Sequence, residues 1–566
     1  MRRWIGFAGC AILGLLMLGG GLLVPMHLRA VDASVLKKAG RRTPTLVERA
    51  WSLVGEKKVG PATLLSRAAK SQGLAGADKL EVAVTNQPGL KPGLLIWGST
   101  EPRLDTLFRT ESKAPTTNWV AFTDFIVPEE NRERVLALLR VSTRPLAGEL
   151  LRTRVLTNTV IFPPAQSSSG QAFDAALSVC GLLLEEGHLS PGLSNAFFSL
   201  AYASHASPQG FEQSLLDLMS LGQRLNWAQL VALVEPINDV ETLRLQANLV
   251  RRAERELPIL FSAVQLSADP AGVARYLVNF NQTGMTDLAA SLHYGAGGVK
   301  ELLKRNQRLA ESWVSRRAGR GGAEGAALSW GADLSWRRPW IALTLKWALY
   351  LAGGFLLAVA LHFGRPAVGT LERPLQVRGF HIAREGLFAL GFLLVVLLLS
   401  EPFLAQESQK MEFPFRLRLP MVGQAVPAGN TRAHSPIMNQ MSLLTVLLFF
   451  VLQGLLYTAS LVKLAEVRRQ RVAPRIKLKL LDNEDHLFDA GLYVGFAGTI
   501  ISLMLVSVGV IKQPSLMAAY SATSFGIIFV SFFKIFNLRP LRRRLLLEAE
   551  EAAAEAGVER TLVASS

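Results

Sequence analysis

The sequence predicts a mainly α fold, a polytopic α-helical membrane bundle with a large, mostly helical (partly α+β) exported domain. Three observations predict it. Hydrophobic residues make up 50% of the 566-residue chain and charged residues only 19%, below the ~25% charge usual in soluble domains; mean hydropathy is +0.27. Six segments each hold about 20 mostly apolar residues, the length a helix needs to cross about 30 Å of hydrocarbon. The basic excess, a net charge of +17, gathers beside those segments as cytoplasmic loops do. So much apolar side chain excludes a disordered chain.

The first span runs from Trp4 to Met26 behind Arg2 and Arg3, so residues 1–30 form an N-terminal unit. A basic start and a Leu/Gly-rich core fit a membrane anchor. They also fit a signal peptide, with Leu28-Arg29-Ala30 as a poor cleavage site. Under both readings the chain beyond residue 30 is exported. Residues 31–165 read as an α+β subdomain: Lys79–Thr85, Gly93–Trp97, Trp119–Val127 and Arg154–Phe162 are rich in Val, Ile, Thr and aromatics and predict strands, and Glu130–Val141 predicts a helix.

After a flexible break at Ser167–Gly170, residues 166–337 read as a helical, repeat-like subdomain. Ala172–Glu186, Leu193–Ala203, Phe211–Leu221, Ala228–Val234, Glu241–Glu256, Ala271–Asn281 and Val299–Trp313 carry apolar residues at three- and four-residue spacing. Antiparallel helix pairs of this kind build bundles or solenoids with wide surfaces for partners. The Gly-rich run Ala318–Ala327 is a linker, without the strand and lysine that a phosphate loop requires.

Residues 338–406 hold two spans, Trp340–Phe363 and Gly386–Ala405, and residues 407–441 an external loop. Residues 442–537 hold three more, Ser442–Val462, Phe488–Ile511 and Ser515–Phe536, followed by a tail, residues 538–566. Lys463, Arg468, Arg469, Arg471, Arg475, Lys477 and Lys479 precede the fifth span, and Arg539, Arg542, Arg543 and Arg544 come after the sixth. The positive-inside rule puts both stretches, and hence the C-terminus, in the cytoplasm of a bacterial inner membrane, with residues 31–337 on the exported side. Few aromatics accompany the Arg468–Lys479 stretch, which argues against nucleic acid and for membrane lipid as its partner.

Catalytic patterns are absent from the sequence. Cys10 and Cys180 cannot build a disulfide framework, and the eight histidines fall in no metal-ligand spacing. Ser34-Val35-Leu36-Lys37 lacks the partner motifs of a serine–lysine site, and Glu185-Glu186-Gly187-His188 reads as a helix end. The sequence thus predicts a non-enzyme with no cofactor and no metal, acting as a homo-oligomer or in a hetero-complex.

Polar residues inside the spans are the informative ones, since each is costly in lipid. Lys346 in the second span and Glu401 at the outer end of the third are expected to snorkel to water, Lys346 beside Arg337 and Arg338. In the last hairpin, Gly495, Gly498, Thr499 and Ser502 share one face of the fifth span, and Thr523 and Gly526 lie on the sixth. Small residues let helices approach closely, and hydroxyls bond across the contact or wet a pore. Helix packing and a polar conduit both fit.

This hairpin resembles the last two membrane helices of the MotA/TolQ/ExbB proton-channel family. Gly498-Thr499 matches the outgoing Gly-Thr helix, and Ala519, Thr523, Gly526 and Asn537 match the returning one. The resemblance covers about 120 residues. The family's proline in the last helix is absent, with Phe532 near its place, and the segment before the hairpin is short. The resemblance implies ion-driven energy transduction or transport in which a partner helix supplies a protonatable Asp. Without it, the chain reads as a membrane-anchored scaffold or receptor whose exported domain binds a partner.

Overall fold

The computed structural model describes residues 2–85, 92–110, 120–311, 323–364, 380–401, 440–507 and 516–564. Residues 407–439 of the expected external loop 407–441, the hairpin turn at Lys512–Pro514 and Trp119 lie outside the described residues, as does part of the Gly-rich run, while residues 440 and 441 begin a helix. The described chain is mainly α-helical and forms two compact units, one made of Met1–Ala30 with Arg317–Ser566, the other of Val31–Arg316.

The Val31–Arg316 unit is a stack of short helices around one core that runs from Val31 to Leu303. Capping signals start many of them. Thr45 and Glu48 close a capping box ahead of Leu46–Gly55, Asn226 and Gln229 close another ahead of Trp227–Val234, and Asp239 caps Val240–Arg252. Helices at Gln171–Glu185, Pro191–Ala203, Gln209–Gly222, Trp227–Val234 and Val240–Arg252 occupy the predicted amphipathic stretches. The helix Pro270–Ser291 continues past its expected end through a kink at Asn281, where φ is 46° and ψ −130°.

The expected α+β character of residues 31–165 is corrected. Lys79–Thr85, Gly93–Trp97 and most of Trp119–Val127 are helical, within Ala77–Thr85, Pro92–Trp97 and Phe122–Ile126. Their buried residues explain why: Ala77, Leu80 and Val84 recur at helical spacing, as do Phe122, Phe125 and Ile126, so one helical face, not alternate residues, meets the core. Arg154–Phe162 forms neither helix nor strand. Its backbone donors find a side chain instead of a ladder: Val160 N–H and Ile161 N–H donate to the buried Glu212 carboxylate at 3.0 and 2.6 Å. Among the described residues the only strands are β1 (Ala30–Asp32) and β2 (Arg308–Ala310), paired with each other.

Part-buried ion pairs, with their carboxylates enclosed, lock this unit. Arg154 grips Asp174 through two bonds of 2.8 and 3.1 Å, and Arg308 pairs with Asp287, which also accepts from Tyr276. Burial and the neighbouring Asp287 push the Tyr276 hydroxyl well above its ordinary range. Cys180 is fully enclosed, and burial pushes its thiol up to about 12. An alkylating reagent at neutral pH is therefore expected to leave Cys180 unmodified until the unit unfolds. Peptide mass spectrometry checks this, and rapid modification of the folded chain would contradict the packing.

The helices of the other unit are labelled in chain order: α1 (Arg2–Leu22), α2 (Ala323–Arg337), α3 (Pro339–Gly364), α4 (Phe380–Ser400), α5 (Gln440–Arg469), α6 (Pro474–Asn483), α7 (Asp485–Phe488), α8 (Ala490–Ser507), α9 (Leu516–Phe533) and α10 (Arg539–Ala564). Among the described residues, four stretches are long and apolar enough to cross a membrane: Trp4–Leu22, Pro339–Leu361, Leu444–Arg469 and Tyr520–Glu551. Such a set is compatible with a multi-pass membrane protein. The predicted third and fifth spans fall on α4 and α8, whose described apolar stretches, Glu385–Leu397 and Ala490–Ile501, are shorter.

Six of these helices pack in the order α1, α3, α4, α5, α9, α8. Glycines set the closest approaches. A Cβ on Gly14 would stand 3.1 Å from Gly353 O, and one on Gly354 would stand 2.9 Å from the Phe392 ring. Beyond the basic end of α5, helices α6, α7 and α10 close over Leu464, Leu481, Phe488, Phe533 and Leu545. Ion pairs Lys463–Glu484, Lys534–Asp489 and Arg542–Asp482 rim this cluster. A single π-helical turn, Lys534–Leu538, joins α9 to α10.

Candidate functional site

Two buried polar centres stand out in the unit built from α1–α10. The first joins the residues just after α1 to α3 and to the end of α4. Lys346 is 2% exposed, Glu401 6% and His27 7%, so the expectation that Lys346 and Glu401 snorkel to water is corrected. Lys346 Nζ donates to Met26 O at 2.5 Å, lies 3.4 Å from His27 Nδ1 and 3.5 Å from Glu401 Oε1. The other oxygen, Glu401 Oε2, accepts from Leu28 N–H at 2.8 Å and stands 3.7 Å from His27 Nδ1. The Tyr350 ring lies 6.0 Å from the ammonium.

The reason is local. Lys346 is placed on α3 so that its stem runs towards the turn after α1, the helix that ends at Leu22, and meets Met26 O there. The two charges meet there because each is the other's nearest counterion in an apolar bundle.

The second centre is the hairpin. Thr499 Oγ1 and Thr523 Oγ1 are 2.6 Å apart, and each lies within hydrogen-bond reach of Gly495 O, at 3.1 and 3.3 Å, so that one hydroxyl donates to the other and the second donates to the carbonyl. A Cβ on Gly495 would stand 2.7 Å from Ala522 O, one on Gly526 2.6 Å from Gly491 O, and one on Gly498 2.8 Å from the Phe449 ring. The structure thus brings Gly495, Gly498, Thr499, Thr523 and Gly526 together in one helix contact. The side chain of Ser502 lies outside the described residues. The outward faces of the hairpin are apolar, with Tyr493, Phe496, Ile500, Ile527 and Phe532 exposed.

Sequence reasoning missed two participants. His27 was one of eight scattered histidines, and only its place directly after the first span could have singled it out. Gln453 sits in a run noted for its lack of charge. It is fully buried, and its Nε2 donates to Gly491 O at 2.9 Å, tying α5 to the start of α8. A lone amide in an apolar span is the signal that would have found it. Nearby, Asn537 Nδ2 donates to the Tyr457 hydroxyl at 3.1 Å, so the π-helical turn is also tied to α5.

Fold and sites together define a mainly α-helical protein with, among the described residues, four helices suited to crossing a membrane and polar contacts buried between its helices. Comparison of the chain with protein-family models, curated proteins and solved structures gives no match.

Proposed function

We propose that this chain is a non-enzymatic, multi-pass inner-membrane subunit of a membrane assembly. In this reading the Val31–Arg316 unit faces the exported side and offers its helical surface to a partner. The basic ends of α5 and α10 face the cytoplasm and the anionic lipid headgroups there.

The observation that carries the reading is the closed hairpin seam. Thr499 and Thr523 satisfy each other and Gly495 O, while lipid-compatible side chains cover the outside. Such a seam is built to hold helices together. It favours packing over a conduit lined by this chain alone. Ion-driven work in the manner of the MotA/TolQ/ExbB family would need a second subunit to bring a protonatable helix to α8 and α9, because neither helix carries an acidic residue. The same closure supports the second reading, a membrane-anchored scaffold or receptor without ion conduction.

Thr499→Val with Thr523→Val tests the seam. Removing the hydroxyl pair keeps the volume and is expected to weaken the hairpin by about 0.5–1.5 kcal/mol, the range of interhelical hydrogen bonds in membranes. The native complex, cross-linked in membranes and purified with and without the substitutions, reads assembly, and liposomes holding it read proton flux. Reduced assembly with unchanged flux supports packing. Lost flux in an intact assembly would establish the conduit. Exchanging all the spans for one unrelated anchor separates the two readings, since a scaffold keeps its partner and an energy-coupling subunit loses its work.

A further inference from the structure

We propose that His27, Lys346 and Glu401 form a buried proton-binding site at the exported end of the membrane helices. The inference rests on the membrane reading above and adds to it a ligand, the proton, and a place where the chain holds it.

The geometry provides two arrangements that differ by one proton. With the imidazole neutral, the three donors of the Lys346 ammonium find three acceptors: Met26 O at 2.5 Å, His27 Nδ1 at 3.4 Å and Glu401 Oε1 at 3.5 Å. Ammonium and carboxylate then cancel. A proton arriving from water lands on His27 Nδ1, the ring atom between the two charges. That nitrogen stops accepting from Lys346 and, now N–H⁺, forms an ion pair with Glu401 Oε2, 3.7 Å away, while the carboxylate keeps its bond from Leu28 N–H. One carboxylate then serves two cations, and Lys346 retains Met26 O and Glu401 Oε1.

The neighbours do not duplicate this role. Asp333 on α2 pairs with Arg337 at 3.1 Å, Tyr350 on α3 offers its ring to the ammonium, and Arg29 adds a positive charge two residues along the chain. His27 is the group whose ordinary titration range spans physiological pH. A buried pair is a poor source of stability compared with apolar packing. A lysine, a carboxylate and an imidazole together here are better explained by a proton equilibrium than by stability.

The test tracks the His27 imidazole directly. The full chain, labelled with ¹⁵N in its histidine rings and held in phosphatidylcholine nanodiscs, is titrated by nuclear magnetic resonance, with the His27 signal assigned by its loss in His27→Gln. The expected result is uptake of one proton at His27 as the pH falls. Glu401→Gln should lower the midpoint by about 1–3 pH units and Lys346→Met should raise it by a similar amount, because each removes one neighbouring charge of opposite sign. The exposed His205 should not respond to either change. A His27 that keeps one protonation state from pH 4 to 9, or one whose midpoint ignores both substitutions, overturns the proposal. Should the variants fail to fold, carbodiimide treatment of the wild-type chain must join Lys346 to Glu401 as an amide, located by mass spectrometry, and absence of that link overturns the site. Failure of the membrane reading shows separately, as chain recovered from cells in the aqueous fraction without detergent.

Discussion

Replacing Lys346 with methionine is expected to destabilise the α1–α3–α4 packing by about 3–5 kcal/mol, the cost of leaving one member of a buried ion pair uncompensated. Methionine fills nearly the same space, so the deficit comes from charge. Glu401 Oε1 loses its counterion, and Glu401 Oε2 is left with Leu28 N–H at 2.8 Å and the His27 ring 3.7 Å away. The double variant Lys346→Met with Glu401→Gln removes both charges and should recover most of the loss, since apolar replacements of whole buried pairs are often neutral. The single-variant deficit should also shrink as pH falls, because an imidazolium at His27, 3.7 Å from Glu401 Oε2, then replaces the missing cation. Unfolding of the purified chain in detergent, monitored by circular dichroism over a pH series, measures all three. Additive losses in the double variant would show that the two charges do not act as a pair.

The second large effect is expected at the hairpin glycines. In Gly495→Ala combined with Gly526→Ala, the new methyls would stand 2.7 Å from Ala522 O and 2.6 Å from Gly491 O. Both obstacles are backbone, so the helices must move apart rather than a side chain swing away. Overpacking of this kind costs about 1–3 kcal/mol, and the separation also stretches the Thr499–Thr523 pair. A cysteine pair at positions 499 and 523 should oxidise readily in the parent hairpin and slowly with the alanines present. Gly19, with nothing within 4 Å of its would-be Cβ, is the control: Gly19→Ala should be neutral or slightly stabilising. An unchanged oxidation rate in the hairpin variant would refute the close approach.

Much of the helical content was legible because burial writes its period into the sequence. Stretches such as Phe211–Leu221 show three- and four-residue spacing and form the helix Gln209–Gly222. The same signal was present but overruled at Lys79–Thr85 and Trp119–Val127, where short runs rich in Val, Thr and aromatics suggested strands. Tertiary context overrides such propensities. Arg154–Phe162 was illegible for a different reason: the Glu212 carboxylate that holds its backbone lies more than fifty residues along the chain. Of the site, the close-packing glycines and both threonines could be read from small-residue spacing. The burial of Lys346 and Glu401 could not, because it depends on His27 and Leu28, residues distant in sequence whose approach only the folded bundle creates.

The π-helical turn between α9 and α10 works as a phase shifter. One additional residue wound into a helix advances every later side chain by about 100° around the axis. Leu541 and Leu545 therefore reach the cluster formed with Leu464 and Leu481, while Arg543 and Arg544 are left pointing outward. Winding the same residues as unbroken α-helix would turn Leu541 and Leu545 about 100° away from the oily cluster and bring Pro540 and Arg544 round to their places. Where the tail's arginines point is thus decided by the residue count between Phe533 and Arg539, so a one-residue deletion there would reorient the tail more than many substitutions within it.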